Sequence, residues 1–304
     1  MNCVIVGSVA LDSVRTPHGE VERALGGSAV YASIAASRFT CPGIVGVVGD
    51  DFPKEHIALL KKKKVNLEGL QIVSGKTFHW KGYYEGDLAH AHTISTDLNV
   101  FASFEPVLPE TYRNAEFLFL ANIDPVLQMH VLEQVKKPRL VVCDTMNFWI
   151  NGRRNELLEV LRKIDVFVLN EGEAWMLTDT RIMPEALDRL LKLGPSCVII
   201  KEGRHGALMK SRNDYFTLPA YLLREVKDTT GAGDTFAGGF IGYLASRRRV
   251  TPTEIRRGMI MGTILSSFVC QDFSIKATAS LTDARFASRC EEYGQYARIP
   301  NLHF

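Results

Sequence analysis

Residues 117–144, FLFLANIDPVLQMHVLEQVKKPRLVVCD, have the pattern of a strand, a helix and a second strand in succession. The runs Phe117–Leu120 and Leu140–Cys143 are short and continuously apolar, which is typical of strands buried on both faces. Between them, Pro125–Lys136 has the spacing of apolar residues expected of a helix. This succession predicts a βαβ unit whose two strands lie parallel in one sheet.

The same alternation extends to both sides of this unit. Short apolar runs predict four more strands: Cys3–Val6, Ile44–Val48, Val166–Leu169 and Val198–Ile200. Helical periodicity recurs in three more segments: Pro53–Lys63, Arg154–Lys163 and Pro184–Leu193. Because parallel crossovers are right-handed, we expect helices on both faces of the sheet. The sequence therefore predicts an α/β protein with a mainly parallel central sheet.

Two stretches interrupt the alternation, at residues 13–25 and 76–96. Both are partly polar and punctuated by glycine, and the second is rich in aromatic side chains. We expect both to form strands of a small β flap outside the main sheet. Because an isolated flap has little core of its own, its aromatic side chains favour either a surface that faces the substrate or the pairing of two chains. These flap side chains are His79, Trp80, Tyr83 and Tyr84.

Composition and charge limit the classes of partner. The 304 residues are 46% hydrophobic and carry a net charge of +2, which gives no reason to expect nucleic acid or an anionic membrane as a partner. Six scattered cysteines without a CxxC pair indicate reduced thiols rather than disulfides or a zinc site. No apolar run approaches the ~20 residues of a membrane span, and the N-terminus has no signal-peptide pattern, so we expect a cytoplasmic protein.

Polar residues follow four of the predicted strands at the point where each strand ends. In open parallel sheets, ligands bind beyond the carboxyl ends of the strands, so these residues predict a shared site. Each one alone could instead be a turn residue or a helix cap. Asp144 in particular could reach a substrate or a metal, or could cap the next helix turn. The residues are Asn122 and Asp124, Asp144 and Asn147, Asn170 and Glu173, and Lys201 and Gly203.

The segment Asp228-Thr-Thr-Gly-Ala-Gly-Asp-Thr-Phe236 is a glycine-rich turn that leads into an apolar helical run. Amide hydrogens in a first helical turn lack partners, and glycines let an anion approach them, so the segment predicts an anion site. A carboxylate at Asp234 would repel that anion, unless it accepts the proton of a hydroxyl that attacks phosphorus. The alternative is that Asp234 is an ordinary acid favoured by the helix dipole.

Two common nucleotide-binding motifs are missing from the sequence. No GxxxxGK[ST] segment occurs, so the chain does not have the P-loop of many NTPases. The first turn, Gly7-Ser-Val-Ala-Leu-Asp12, lacks the second and third glycines of the dinucleotide fingerprint. This argues against an oxidoreductase that binds NAD.

Four segments together resemble the signatures of the PfkB (ribokinase-like) family of carbohydrate and nucleoside kinases. Asp228-Thr-Thr-Gly-Ala-Gly-Asp234 matches the C-terminal signature of that family in full. The stretch from Gly26-Gly27-Ser28 to Asp51-Phe52 is similar to its N-terminal signature. Asn170-Glu-Gly-Glu173 matches its Asn-x-x-Glu motif, and Lys201-Glu-Gly-Arg-His-Gly206 resembles its nucleotide loop. The matches span nearly the whole chain in the family's order.

The resemblance implies a single kinase domain over residues 1–304, with a lid formed by segments 13–25 and 76–96. The implied fold is a ribokinase-like, Rossmann-type three-layer sandwich with a small β lid. The implied reaction moves the γ-phosphoryl group of ATP, with Mg²⁺, to a hydroxyl of a sugar or polyol. A nucleoside acceptor and a non-catalytic sugar- or nucleotide-binding protein are the alternatives. The implied partner is a small molecule, and two chains could pair through the lid.

The resemblance also implies roles for individual residues. Asp234 is the implied catalytic base, and Gly231, Ala232 and Gly233 supply the amide groups of the anion hole. The implied nucleotide-side residues are Asn170, Glu173, Lys201, Gly203 and Gly206, with Glu173 holding Mg²⁺ through water. The implied substrate-side residues are Asp12, Gly26, Gly27, Ser28, Tyr31, Asn122 and Asp144. Asp228 and Thr230 resemble positions that hold a monovalent cation such as K⁺.

Tyr31 is a departure from the family pattern. Sugar kinases of the family often carry an Asn near this position, where it binds a substrate hydroxyl. A tyrosine could stack on a ring of the substrate, or it could pack against the lid. The change weakens the case for simple ribose-like or fructose-like recognition and leaves the transfer machinery intact.

Overall fold

In the computed structural model, which describes residues 1–86, 88–212 and 214–297, the chain alternates between strands and helices. Residue 87 of the predicted lid and residues 298–304 of the predicted domain lie outside the described residues. The strands are β1 Cys3–Val6, β2 Ala10–Thr16, β3 Gly19–Gly26, β4 Gly43–Gly49, β5 Asn66–Val73, β6 Phe78–Tyr84, β7 Ala91–Asp97, β8 Phe117–Leu120, β9 Leu140–Asp144, β10 Val166–Asn170, β11 Cys197–Lys201, β12 Ala207–Ser211 and β13 Asp214–Leu218. The helices are α1 Ser28–Ala36, α2 Lys54–Lys62, α3 Pro125–Gln134, α4 Asn147–Gly152, α5 Arg154–Leu161, α6 Glu171–Thr178, α7 Met183–Leu191, α8 Ala232–Arg247, α9 Pro252–Val269, α10 Lys276–Ala279 and α11 Asp283–Tyr296.

The main sheet has the strand order β13-β12-β11-β10-β9-β8-β1-β4-β5. Its pairs from β11 to β5 are parallel, and only the described β11–β12 and β12–β13 pairs are antiparallel. The predicted βαβ unit is confirmed, because β8 pairs with β9 in parallel register from Phe117 opposite Leu140. The mainly parallel α/β fold with helices on both sides is therefore as predicted.

Two apolar clusters lie on opposite faces of this sheet. Along β1, Cys3 and Ile5 point into the cluster with α1, α8 and α9, while Val4 and Val6 point into the cluster with α3, α5 and α7. All four side chains are fully buried, which explains why these strands are continuously apolar in sequence. Strands β5 and β13 lie at the two edges of the sheet and are partly exposed. They have no such apolar run, and the sequence pattern did not predict them.

A second sheet, of order β3-β2-β6-β7, contains the two stretches predicted to form the flap. Strand β2 begins at Ala10, three residues before the predicted segment, so Asp12 lies on a flap strand. His79 links three of these strands: its Nε2 lies 2.9 Å from Ser13 Oγ, and its Nδ1 lies 3.4 Å from Asp97 Oδ2. Among the described residues, no helix is both long and apolar enough to cross a membrane.

Helices α1 and α8 touch at the level of their backbones. A Cβ at Gly238 would lie 2.2 Å from the carbonyl oxygen of Ala32, and one at Gly242 would lie 2.6 Å from Cα of Ala36. The two contacts advance in the same direction along both helices, so α1 and α8 run parallel here. Gly238 and Gly242 therefore allow the two helices to pack closely, and the contact brings together the turns that precede them.

This contact predicts the effect of a methyl group at Gly238. Gly238→Ala should lower the free energy of unfolding by about 1–3 kcal/mol, because the obstructing atoms are backbone and cannot rotate away. Gly294→Ala in α11 is the matched control, since nothing lies within 4 Å of its Cβ position. The control should be neutral or more stable by up to ~1 kcal/mol. Urea denaturation measures both, and equal stability of the two variants would contradict the packing argument.

Candidate active site

The turn before α8 is shaped by Gly231. Its φ of +73° is a conformation that glycine adopts readily, and a Cβ there would lie 2.4 Å from the ring of Tyr31. The turn continues into the helix through bonds from Ala232 N to Thr229 O and from Thr235 N to Gly231 O. Within the described residues, the amide hydrogen of Gly233 has no backbone acceptor. The turn therefore presents an amide donor where the sequence predicted an anion hole.

Asp234 lies in the first turn of α8, partly exposed at the site. Burial of its carboxyl group and the nearby charge of Asp144 together raise its pKa to about 7, against the opposing effect of Lys201. A carboxyl group with this pKa is divided between its neutral and ionised forms near neutral pH. It can therefore accept a proton there more readily than an ordinary aspartate can.

Asp12 faces Asp234 from strand β2 of the flap sheet. Burial and the charges of Asp234 and Asp228 together raise the pKa of Asp12 to about 7, against the opposing effect of the Gly27 amide. The amide of Gly27 donates to Asp12 Oδ2 at 3.3 Å. A Cβ at Gly26 would lie 1.9 Å from the same oxygen, so Gly26 is needed to seat this carboxyl group. The glycine pair thus brings Asp12 and Asp234 to one site.

Ser28 and Tyr31 are buried beneath the site. Ser28 exchanges hydrogen bonds with Ser8: Ser28 N donates to Ser8 Oγ at 3.0 Å, and Ser8 N donates to Ser28 Oγ at 3.1 Å. The Tyr31 side chain is only 2% exposed and packs under Gly231. The structure therefore agrees with a packing role for Tyr31, which contacts the anion-hole turn.

Asn122 lies at the end of β8 and its side-chain amide is already engaged. Trp149 Nε1 donates to Asn122 Oδ1 at 2.9 Å, and Asn122 Nδ2 lies 3.1 Å from the sulfur of Met146. Its backbone carbonyl accepts from Ser28 Oγ at 3.4 Å. These bonds connect the end of β8 to the start of α1 and to α4.

Asn170 and Glu173 form a capping box at the start of α6. Glu173 N donates to Asn170 Oδ1 at 2.9 Å, and Asn170 N donates to Glu173 Oε2 at 2.7 Å. This is the capping role that the sequence left open, and it also fixes a buried carboxyl group beside the site. Burial and the charge of Asp144 together raise the pKa of Glu173 to about 7, against the opposing effect of Lys201.

Lys201 and Asp144 form an ion pair at the ends of β11 and β9. Lys201 Nζ lies 2.9 Å from Asp144 Oδ2, and the two side chains are 16% and 5% exposed. The same Nζ lies 2.9 Å from the position that a Cβ at Gly233 would take, so the ammonium group stands over the anion hole. Asp144 Oδ1 accepts from Thr145 N, and α4 begins after Met146 without a side-chain cap. Asp144 therefore does not cap the next helix.

The predicted nucleotide loop follows β11. Gly203 and Gly206 have φ values of +55° and +108°, and the turn is closed by a bond from Glu202 N to Gly206 O at 2.8 Å. A Cβ at Gly206 would lie 2.0 Å from the carbonyl oxygen of Leu218, so this glycine lets the loop approach the end of β13. Gly203 has open space around it. The loop thus lies at the same sheet edge as Lys201.

The flap contacts the anion-hole turn directly. Thr230 Oγ1 donates to the hydroxyl oxygen of Tyr84 at 3.2 Å, and Thr229 Oγ1 donates to the carbonyl of Leu88 at 2.8 Å. Burial raises the pKa of Tyr84 to about 12. The sequence marked Tyr84 only as one of several flap aromatics, because nothing in a linear pattern indicates a contact across 146 positions.

Asp228 has a carboxyl oxygen that suits a cation. Thr230 N donates to Asp228 Oδ1 at 2.8 Å, while Oδ2 is buried and makes no hydrogen bond of ordinary geometry within the described residues. Burial raises the pKa of Asp228, and the Thr230 side chain and the amides of Thr230 and Ser274 oppose this. A buried carboxylate oxygen that lacks a hydrogen bond of ordinary geometry within the described residues is a costly arrangement that a bound cation would relieve.

Three comparisons with known proteins agree with one another. Residues 2–277 match the model of the pfkB family carbohydrate kinases. The chain is similar to a cytidine kinase of Thermococcus kodakarensis, with 31% identity over 85% of this chain and 94% of that protein. It is also similar to inositol 3-kinase of Arabidopsis thaliana, with 24% identity over 88% and 74% of the two chains.

Two solved structures show the same fold at low identity. A putative ribokinase II from E. coli superimposes with a TM-score of 0.80 at 18% identity, covering 97% of this chain and 100% of that chain. A nucleoside kinase of Burkholderia thailandensis in complex with inosine superimposes with a TM-score of 0.77 at 17% identity, with the same coverage.

The crowding at Gly233 gives a test of the anion hole. Gly233→Ala should lower the free energy of unfolding by about 1–3 kcal/mol, because the methyl group meets the Lys201 ammonium group, which a buried ion pair with Asp144 holds in place. It should also lower turnover about 10²-fold, since the methyl group displaces Lys201 and blocks the amide donor. Wild-type turnover would show that no anion approaches this turn. The measurements are ADP release and thermal denaturation.

Proposed function

This chain belongs to the pfkB family of carbohydrate kinases, and we propose that Asp234 is the base with which it phosphorylates its acceptor. The protein is a phosphotransferase that uses ATP and a small-molecule hydroxyl group. The observation that carries the proposal for Asp234 is its position: a carboxyl group with a pKa near 7 stands in the first turn of α8, next to the anion-hole amides.

The proposed step follows from this geometry. The acceptor hydroxyl gives its proton to the Asp234 carboxylate as its oxygen attacks the γ-phosphorus, and the bond from that phosphorus to the ADP oxygen breaks. Amides of Gly231 and Gly233 stabilise the charge on the moving group, whereas the Ala232 amide, also expected there, already donates to the carbonyl of Thr229. Contact of the flap with Thr229 and Thr230 excludes water from the site.

Magnesium fits the donors on the nucleotide side. Glu173 offers a buried carboxyl group beside Asp144, and hard oxygen donors, together with waters and phosphate oxygens, are what magnesium prefers. Bound magnesium would neutralise charge on the triphosphate. We propose that Glu173 holds it through water, with Asn170 orienting the Glu173 carboxyl group through the capping box, and that Lys201, Gly203 and Gly206 border the nucleotide.

We propose a nucleoside as the acceptor. The relative with 31% identity over most of both chains is named a cytidine kinase. The residue that replaces the substrate-binding Asn of sugar kinases, Tyr31, is buried under the anion-hole turn and leaves no hydroxyl-binding amide there. Asp12, held by the Gly27 amide, would then bind a sugar hydroxyl of the nucleoside. A polyol is the second candidate, because the chain is also similar to an inositol 3-kinase.

The test is ADP release from magnesium-ATP with cytidine, other nucleosides, ribose, fructose and inositol as acceptors. Nucleosides should stimulate release, and Asp234→Asn should lower it about 10²–10⁴-fold with the best acceptor, because the amide cannot take the proton. Glu133→Gln, an exposed position on α3, is the control and should match the wild type. Stimulation by ribose or inositol alone would overturn the nucleoside assignment, and full activity of Asp234→Asn would overturn the base.

We propose a monovalent cation at Asp228 and Thr230. The proposal rests on the buried Asp228 Oδ2, which makes no hydrogen bond of ordinary geometry among the described residues. Replacing tetramethylammonium by K⁺ at constant ionic strength should raise turnover of the wild type severalfold, because the cation removes a repulsive charge beneath the anion hole. Asp228→Asn should lose that response. A wild type whose turnover is the same in both salts would show that no cation is needed.

Three other expectations stay as proposals. We propose that the described chain is one kinase domain with its lid, that it works in the cytoplasm, and that two chains pair through their lid sheets. Strand β7 lies at the edge of the lid sheet, with Ile94 54% exposed on it, which supports the last of these.

A further inference from the structure

The ion pair between Lys201 and Asp144 is a buried feature that the proposed reaction does not yet use. Lys201 Nζ lies 2.9 Å from Asp144 Oδ2 at the carboxyl edge of the main sheet. Long lysine side chains are flexible, and a salt bridge between exposed groups contributes little. Here both partners are largely removed from water, so the carboxylate fixes where the ammonium group stands.

The place where the ammonium group is fixed lies at the anion hole. A Cβ at Gly233 would come within 2.9 Å of Lys201 Nζ, and Gly233 is the residue before Asp234. The charges of Asp144, Glu173 and Asp234 all act on this lysine. Burial alone would lower its pKa, but the three carboxyl groups outweigh burial and raise it. Lys201 is therefore a permanent cation between the capping-box glutamate and the first turn of α8.

We infer that Asp144 is a positioning residue that holds the Lys201 ammonium group over the anion hole, where Lys201 contacts the phosphoryl group during transfer. This inference rests on the proposed function. It differs from the expected substrate role of Asp144, because Asp144 then acts on the reaction only through Lys201. It also makes the role of Lys201 more specific, from a contact with nucleotide phosphates to a contact with the group that moves.

The geometry accounts for three features at once. Gly233 must lack a side chain because Lys201 occupies the space above it. Asp144 must be a short acid because its other oxygen accepts from Thr145 N at 2.8 Å, which orients the carboxyl group toward Lys201. Asp234 and Lys201 face the same turn, so a base and a cation can approach the phosphoryl group from neighbouring positions.

The test compares kcat, the KM of each substrate and the pH profile of four variants. Lys201→Met should lower kcat about 10²-fold, because it removes a fixed charge that stabilises the transferring group. Asp144→Asn should lower kcat about 10-fold, since a misplaced lysine retains some function, and acceptor KM should stay within about twofold. The double variant should be no worse than Lys201→Met, because residues that act through one another are not additive. Lys201→Arg should recover part of the loss.

The pH profile separates this role from a merely structural one. The charged groups that face Asp234 are Asp12 on β2, Asp144 on β9, Glu173 on α6 and Lys201 on β11. Asp144→Asn removes a negative charge and so favours the ionised form of Asp234. The acidic limb of the plot of kcat against pH should therefore move to lower pH. Lys201→Met removes a positive charge and so disfavours the ionised form of Asp234. The same limb should therefore move to higher pH. Shifts in one common direction, or none, would contradict the inference.

Separate controls distinguish a failure to fold, a failure of the proposed function and a failure of the inference. A single variant leaves one buried charge unpaired and could fail to fold, whereas the double variant Asp144→Asn/Lys201→Met buries none. A folded double variant with near wild-type kcat would overturn the inference while Asp234→Asn stays inactive. A raised acceptor KM for Asp144→Asn with unchanged kcat would instead assign Asp144 to the substrate. If Asp234→Asn keeps full activity, the proposed base fails and this inference fails with it.

Discussion

The backbone contact between α1 and α8 is the constraint on which the site depends. Each helix is preceded by a glycine turn, one that seats Asp12 and one that carries the anion-hole amides. Because Gly238 and Gly242 let the two helices touch without side chains between them, the turns meet instead of lying a side-chain layer apart. Tyr31 fills the remaining space under Gly231. A large side chain at Gly238 or Gly242 would push the two helices apart, and with them the two halves of the site.

Charge is concentrated where these elements meet. Asp144, Glu173 and Asp234 act on Lys201, and Asp12 faces Asp234; burial and the neighbouring carboxyl groups together raise the pKa of Asp12, Glu173 and Asp234 to about 7. Such a cluster is destabilising in a protein built only for stability, since like charges and burial both disfavour ionisation. The same cluster is useful in an enzyme whose substrate brings phosphate groups and a cation. One set of groups can then accept a proton and balance the charges of the phosphates and the cation.

Much of the fold could be predicted from the sequence, because strands buried on both faces leave continuous apolar runs such as Cys3–Val6 and Val198–Ile200. Strands β5, β12 and β13 could not, since partial exposure removes that pattern. Helix α6 is short and begins with its capping box, and its start could be found only through the Asn-x-x-Glu motif. The polar strand ends predicted that side chains such as Asp144 and Lys201 gather at one edge of the sheet, but not which of them pair.

The sequence does not show which site residues contact each other, because the partners lie far apart along the chain. Lys201 and Asp144 are 57 positions apart, and Tyr84 and Thr230 are 146 apart, so only folding shows that each pair is in contact.

The contact between Tyr84 and Thr230 connects the lid to the turn at which the chemistry takes place. Tyr84 bonds to the residue immediately before Gly231, whose conformation sets the direction of the anion-hole amides. An opening of the lid would therefore remove a bond from the same turn that must be rigid during transfer, and the hole would be fully formed only when the site is closed to water.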